Sequence, residues 1–377
     1  MTIMGDAGLV QIRAAVRTWC AHVTRPVFPG LRFCPIDVGS AADFRGAARE
    51  TGRTTGRYSG SLLATQQSPH GSVIRLTRRA AMLILAVGLA VLGLTLSGCG
   101  GHSPVAPSSV PTPVALPVIT NGRVAIISID GLRPDAIQQT GAANILGLAA
   151  RGAYTWNAQT ILPSNTLPSH ISMLTGYTPD VHGVTWDDYS PMRGQILVPT
   201  IFAVARAKGL RTGMVVGKEK FTTFRDTGAC DTWVLAAPDD DDVAGRVPVA
   251  VGGRPDLLFV HLPDVDLVGH AAKWMSPEYF AAVRRADAAV GRIIATLPAD
   301  TTIILTADHG GRPEGHGTAS TFDMTIPWII AGPSTAKGRQ LAGGVMTVDT
   351  AATAAFVLGV TLSPDAPGVP IYEAFRK

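Results

Sequence analysis

Acids and histidines recur in this chain at the ends of short apolar runs. Asp130 closes the run Val124 to Ile129 (VAIISI), Asp264, Asp266 and His270 follow Asp256 to Leu262 (DLLFVHL), and Asp308 and His309 follow Thr301 to Thr306 (TTIILT). His316 comes seven residues after His309, in the glycine-rich stretch HGGRPEGHG. Asp and neutral His are natural ligands of zinc, and carboxylates also suit manganese. A lone Asp after a strand is ordinarily a turn or cap residue. Several at the ends of different strands, with three His among them, are not accounted for in that way.

A second kind of chemistry is offered by Pro163 to His170 (PSNTLPSH), which leads into ISMLTG. Asn165 or Thr166 reads as a helix N-cap, and Pro168 fits a first helical turn. Free N–H groups and the positive end of the helix dipole favour a bound phosphate there. The Thr166 hydroxyl at that point is a candidate nucleophile if a metal activates it. An ordinary helix cap is the plainer reading of the same residues.

These side chains need elements to hold them. The three runs above are continuous apolar segments, the pattern of strands buried on both faces. Gly213 to Val216 and Ile326 to Ile330 are further candidate strands, and Pro277 to Leu297 and Val348 to Leu358 read as helices. Strands alternating with helices predict an α/β domain with a mostly parallel central sheet and helices on both faces. Ligands bind such sheets beyond the carboxyl ends of the strands, where the acids and His fall. The residues from about 188 to 255 read as a small cap over that edge.

With 377 residues, 46% hydrophobic and 16% charged, the chain can bury a large core. Its formal charge of +4 is unevenly placed: residues 1–79 carry eleven Arg and four acids, and the remainder 21 bases and 24 acids. The basicity therefore does not argue for a nucleic-acid duplex as partner. Four Cys with no C-x-x-C pair exclude a disulfide scaffold and a zinc ribbon. From Ala80 to Leu96 no charge occurs, directly after Arg75, Arg78 and Arg79 and just before Leu96-Ser97-Gly98-Cys99. A basic stretch, an apolar core and small residues describe a signal peptide over 75–98. The L-S-G-C sequence resembles the lipobox of bacterial lipoproteins, which implies lipidation of Cys99 and an extracytoplasmic, membrane-anchored protein. Residues 99–121 form a Pro/Gly/Ser-rich tether. Residues 1–74 read as a doubtful or disordered leader, with translation expected to begin near Val73 or Met82, and the folded domain as 122–377.

The segments ISIDGLRPD, NTLPSHISMLTGYTPDVHGV, PDVDLVGH, TADHGG and EGHGT follow one another as they do in the alkaline phosphatase superfamily. They are most similar to its type I phosphodiesterase/nucleotide pyrophosphatase branch and also resemble phosphonoacetate hydrolase. The resemblance covers about Val124 to Pro333. It implies an alkaline-phosphatase-like fold and a two-zinc site, with manganese as the other candidate metal. Asp266, His270 and His316 match the ligands of one metal. Asp130, Asp308 and His309 match those of the other, with Thr166 as the nucleophile that becomes a phosphothreonine. Asp264 lies two residues off the pattern and is read as supporting the ligands.

Lys218 and Lys220 resemble the lysine pair with which phosphonoacetate hydrolases hold a small anionic substrate, a solvated surface pair being the other reading. Asp187 stands where family members commonly have an Asn that donates a hydrogen bond to the transferring group. An ionised Asp cannot donate, so it is protonated, or turned away while a Lys substitutes, or bound to another cation. Arg133 and Arg312 sit beside proposed ligands and read equally as phosphate contacts or as supports. His170 and His182 read as packing residues, and Asp239 to Asp242 as a solvated acidic loop. Cys230 lacks the C-x-P-x-R context of sulfatases. The resulting expectation is a hydrolase of small phosphate esters. The alternatives are a phosphonate carbon–phosphorus hydrolase, a cell-envelope phosphotransferase and an inactive binding lipoprotein. Oligomeric state has no signature in the chain.

Overall fold

The computed structural model describes residues 122–193 and 195–376. The leader, the export segment, Cys99 and the tether lie outside them. The chain enters through β1 (Arg123–Ile129), then α1 (Pro134–Thr140), α2 (Ala143–Arg151) and β2 (Ala153–Gln159). Thr166 opens α3 (Thr166–Thr175), which is followed by α4 (Pro179–His182) and α5 (Ile201–Ala207). Next come β3 (Thr212–Val216), α6 (Thr222–Arg225), β4 (Thr232–Leu235) and α7 (Asp240–Gly252). Then β5 (Leu257–Leu262), α8 (Asp264–Ala272), α9 (Pro277–Thr296) and β6 (Thr301–Thr306) complete the middle of the sheet. The chain ends with α10 (Thr321–Met324), β7 (Thr325–Ala331), β8 (Arg339–Gln340) and α11 (Asp349–Leu358).

Among the described residues, eight strands form one sheet in the order β4-β3-β5-β1-β6-β7-β2-β8. Only β7 runs antiparallel to its neighbours, β6 and β2. The expected mostly parallel sheet is therefore the observed one. Every residue of β3, β5 and β6 is buried, as continuous apolar runs require when helices cover both faces. The long helix α9 shows how the cover is built: Pro277 occupies its first turn, Ser276 caps it by accepting from Tyr279 N, and Tyr279, Val283, Ala286, Val290 and Ile293 form its buried stripe.

The order β5-β1-β6 is what positions the site. β1 lies between its two parallel neighbours, in register from Val124 against Leu257 and Thr302. Strands are about 4.8 Å apart, so the residues that follow β1, β5 and β6 emerge side by side on one edge. Asp130, the start of α8 and Asp308 are those residues.

Two expectations need correction. The stretch from 188 to 255 is not a separate cap, because β3 and β4 pair into the central sheet and α5 and α7 pack on it. The buried apolar run TGMVV makes an inner strand that no cap surface needs. The acidic run Asp239 to Asp242 is not a loop but the start of α7. Asp239 caps it by accepting from Asp242 N at 3.0 Å, and three acids in the first turn complement the helix dipole. β2 and β4 were not foreseen; AYTWNAQ and TWVL are only partly buried and carry no continuous apolar run.

Candidate active site

β1 ends in a turn that brings three elements together. Gly131 has φ +69°, and a Cβ there would stand 3.0 Å from Asp266 Cα, so glycine suits both the backbone and the close approach of α8. The turn is pinned by Trp274 Nε1 and Tyr279 OH, which donate to Gly131 O at 3.0 and 2.8 Å, and Gly131 N donates to Asp308 Oδ1 at 3.1 Å.

Asp130, Asp308 and His309 then converge, all buried, with a ligand atom of each within 4.8 Å of the others. His309 Nδ1 donates to Gly310 O at 2.8 Å, which leaves the lone pair on Nε2. That atom stands 3.4 Å from Asp130 Oδ1 and 3.3 Å from Asp308 Oδ2. None of these three atoms has a hydrogen-bond partner. Buried acceptors gathered around one point repel one another unless a cation joins them. Burial, then the charge of Asp130, pushes the Asp308 carboxyl well above the usual carboxylate range. Burial also opposes ionisation of Asp130, yet the Lys218 ammonium, with His261 and His309, holds its carboxyl well below that range.

Asp266, His270 and His316 form a second set with the same 4.8 Å spacing. Four residues apart on α8, Asp266 and His270 share one face, and His270 Nε2 lies 3.4 Å from Asp266 Oδ1. His316 Nδ1 donates to Ser164 O at 2.9 Å, so Nε2 turns towards Asp266 Oδ1 at 3.5 Å. Asp266 Oδ1 is buried and unpartnered as well. Burial lowers the pKa of His270 and His316, which favours the neutral form that a metal requires. The rings of His309 and His316 stack with centroids 3.7 Å apart, so the two sets adjoin. The donor types and the unpartnered atoms fit two divalent cations.

Thr166 starts α3, and its neighbours in the chain are bonded to both sets. Two residues before it, Ser164 O accepts from His316. Four residues after it, His170 Nδ1 donates to Thr166 O at 2.7 Å and lies 3.5 Å from Asp308 Oδ2. Ser169 Oγ donates to Asp308 O at 2.7 Å, and the Thr160 hydroxyl donates to the same carbonyl. Asn165 takes the N-cap position with extended backbone, as one of the two sequence readings had it.

Residues 124–319, which include both ligand sets and Thr166, match the model of the type I phosphodiesterase/nucleotide pyrophosphatase family. The chain belongs to that family. It is 28% identical over 235 residues to an uncharacterized pyrophosphatase/phosphodiesterase of Schizosaccharomyces pombe, covering 55% of this chain and 47% of the relative. Human ectonucleotide pyrophosphatase/phosphodiesterase family member 1 is 23% identical over 242 residues, covering 55% of this chain and 24% of the relative. The chain thus spans about half or less of these relatives' length. Murine ectonucleotide pyrophosphatase/phosphodiesterase 5 shares the fold, with a TM-score of 0.59 at 13% identity over 67% of this chain and 100% of that one. A 2-O GAG sulfatase does so at 0.56 and 16% identity, over 68% and 74% of the two chains.

Within this phosphodiesterase/nucleotide pyrophosphatase domain, the other singled-out residues fall as follows. Lys218 pairs with Asp130 Oδ2 at 2.7 Å and Asp266 Oδ2 at 2.6 Å, and Lys220 with Asp187 Oδ2 at 2.8 Å. Neither is a free surface lysine. Asp187 Oδ1 also accepts from Leu167 N at 2.7 Å, so this carboxylate occupies an N–H of the first turn of α3. Asp264 N donates to Asp240 Oδ1 at 3.0 Å, which ties α8 to α7. Arg133 donates to Gly311 O at 3.0 Å and Arg312 to Asp323 at 3.1 Å, so both brace the loop that carries His316.

His182 is a packing residue: Val184 N donates to its Nδ1 at 3.2 Å, its Nε2 lies 3.0 Å from Ser172 Oγ, and burial lowers its pKa to about 4. His170 does more than pack, linking the first turn of α3 to Asp308. Cys230 is partly buried and away from both sets, its thiol pushed up to about 12 by burial. The residue missed in the sequence is His261. It is buried on β5, and its Nε2 donates to Asp130 Oδ2 at 2.8 Å. A His inside an otherwise apolar strand needs a polar partner, and that was the available signal.

Proposed function

We propose that this chain is a two-metal-dependent phosphoric ester hydrolase that acts through Thr166. What supports this reading is that two clusters of Asp and His carry buried unpartnered atoms, and that the segment opening α3 at Thr166 is bonded to both. Zinc suits the Asp/His donors, manganese being the second candidate, and metal held there lowers the pKa of a hydroxyl and stabilises a leaving oxygen. Thr166 Oγ, its proton given up to solvent, attacks phosphorus; its bond to phosphorus forms as the bond to the leaving alcohol breaks, and that oxygen departs with the electron pair and takes a proton from water. Water then attacks the phosphothreonine, the bond from phosphorus to Oγ breaks with its electron pair returning to Oγ, which regains a proton, and the phosphate product is released. The N-terminal end of α3 favours the anionic phosphoryl group, and His170 fixes the Thr166 backbone.

A cavity of about 540 Å³, lined by Asp187, Tyr189, Lys218, Glu219, Lys220 and Pro238, opens beside the ligands. It suits a small substituent. Both lysines are engaged by carboxylates, which favours a phosphate ester over a phosphonate that needs them for a second anionic group. The murine family member 5 has been solved, as an inactive variant, in complex with AMP. A nucleotide ester therefore belongs among the substrates tried. The L-S-G-C motif further supports an extracytoplasmic, lipid-tethered placement through Cys99.

The purified full chain, assayed on nitrophenyl phosphate mono- and diesters, a nucleotide diester and phosphonoacetate, should show a kcat/KM for a diester about tenfold or more above the rest. Turnover of phosphonoacetate alone would replace this reading with the carbon–phosphorus hydrolase. Asp187→Asn is predicted to lower the diester KM about fivefold, because it removes a negative charge beside the site and can still accept from Leu167 N. A large loss of kcat in that variant would mean that the carboxylate itself takes part.

A further inference from the structure

Lys218 differs from the other cations near the site in what it holds. Two residues past the end of β3, it reaches the edge where Asp130 and Asp266 emerge, because β3 adjoins β5 and β5 adjoins β1. Its ammonium contacts one carboxylate from each ligand set, and in both it takes Oδ2. The other oxygen of each, Oδ1, is the buried unpartnered atom facing the histidines of its own set. Each carboxylate is thus divided, one oxygen gripped by the ammonium and one aimed at a metal position. His261 donates to the same Oδ2 of Asp130, which further restrains that group. Asp130, Asp266 and Asp308 crowd three carboxylates into a buried edge. Lys218, with its side chain 12% exposed, is the ammonium set against them.

We propose that Lys218 is a structural third cation of this centre, aiming one carboxylate of each ligand set and holding the three-carboxylate cluster together when metal is withdrawn. It is a positioning residue, and not a substrate ligand. This rests on the two-metal reading of the site and is independent of the substrate.

The test is thermal melting of the full chain, in EDTA and in saturating zinc, for the parent, Lys218→Met and Lys220→Met. Methionine keeps much of the apolar stem without the charge. In EDTA, Lys218→Met should melt about 5–10 °C below the parent, because buried carboxylates lose their counter-charge. In zinc the gap should shrink by about half or more, since the metal then supplies positive charge. Lys220→Met should shift equally in both conditions. An equal loss for Lys218→Met in both conditions would reduce the residue to packing and overturn the proposal. An unchanged melting point in EDTA with a raised KM would overturn it too, by returning Lys218 to the substrate. If zinc leaves the parent's melting point unmoved, the two-metal reading fails and this proposal with it.

Discussion

Thr166→Ala is expected to lower diester turnover by about 10⁴-fold or more while the chain still binds two metal ions. Only the hydroxyl and the γ-methyl are lost. Alanine is well suited to a helix, and the Thr166 carbonyl, which His170 bonds, is unaffected by the change. The ligand atoms belong to six other residues, so metal content should stay at the parent's value. Steady-state kinetics and elemental analysis on the same sample check both halves. Full activity in the variant would remove Thr166 as nucleophile. Lost metal with lost activity would make its hydroxyl chiefly a ligand.

Chelation is expected to bring activity to background, and zinc to restore it. The physical reason lies in the unpartnered atoms: Asp130 Oδ1, Asp308 Oδ2, His309 Nε2 and Asp266 Oδ1 are buried, and none has a donor. Without a cation these groups neither activate a hydroxyl nor stabilise a leaving oxygen. Recovery with manganese but not zinc would assign the other metal. Activity that persists in protein shown to be metal-free would sink the two-metal reading outright.

Much of the candidate site was legible because its groups sit at strand ends. An apolar run followed at once by Asp or Asp-His is a local pattern, and it marks the edge of a buried parallel sheet wherever it occurs. Asp130, Asp308, His309 and the D-x-x-x-H pair on α8 were readable on that basis, and Thr166 from its place at a helix start. The partners of those groups were not. His261 lies 131 residues from the Asp130 carboxylate it bonds, and its strand reads as plain apolar core. Lys218 reads from the resemblance as a substrate contact or a solvated surface lysine, and the carboxylates it meets lie on two other elements, out of reach of any local pattern. The segment 188–255 seemed a cap because it separates two motifs in sequence, yet a strand can join a sheet from any distance along the chain.

The amino-acid order alone therefore determined which reactive groups exist and where along the chain they end a strand or start a helix, since burial of an apolar run and capping of a helix are settled over a few residues. The folded structure decided which of them meet. Placing β1 between β5 and β6 gathers two candidate ligand sets on one edge, and hydrogen bonds at Ser164 and Ser169 bring the start of α3 to both. Lys218 and His261 then take Oδ2 of Asp130, and Lys218 that of Asp266, because a buried polar atom takes whatever partner the sheet order brings within reach.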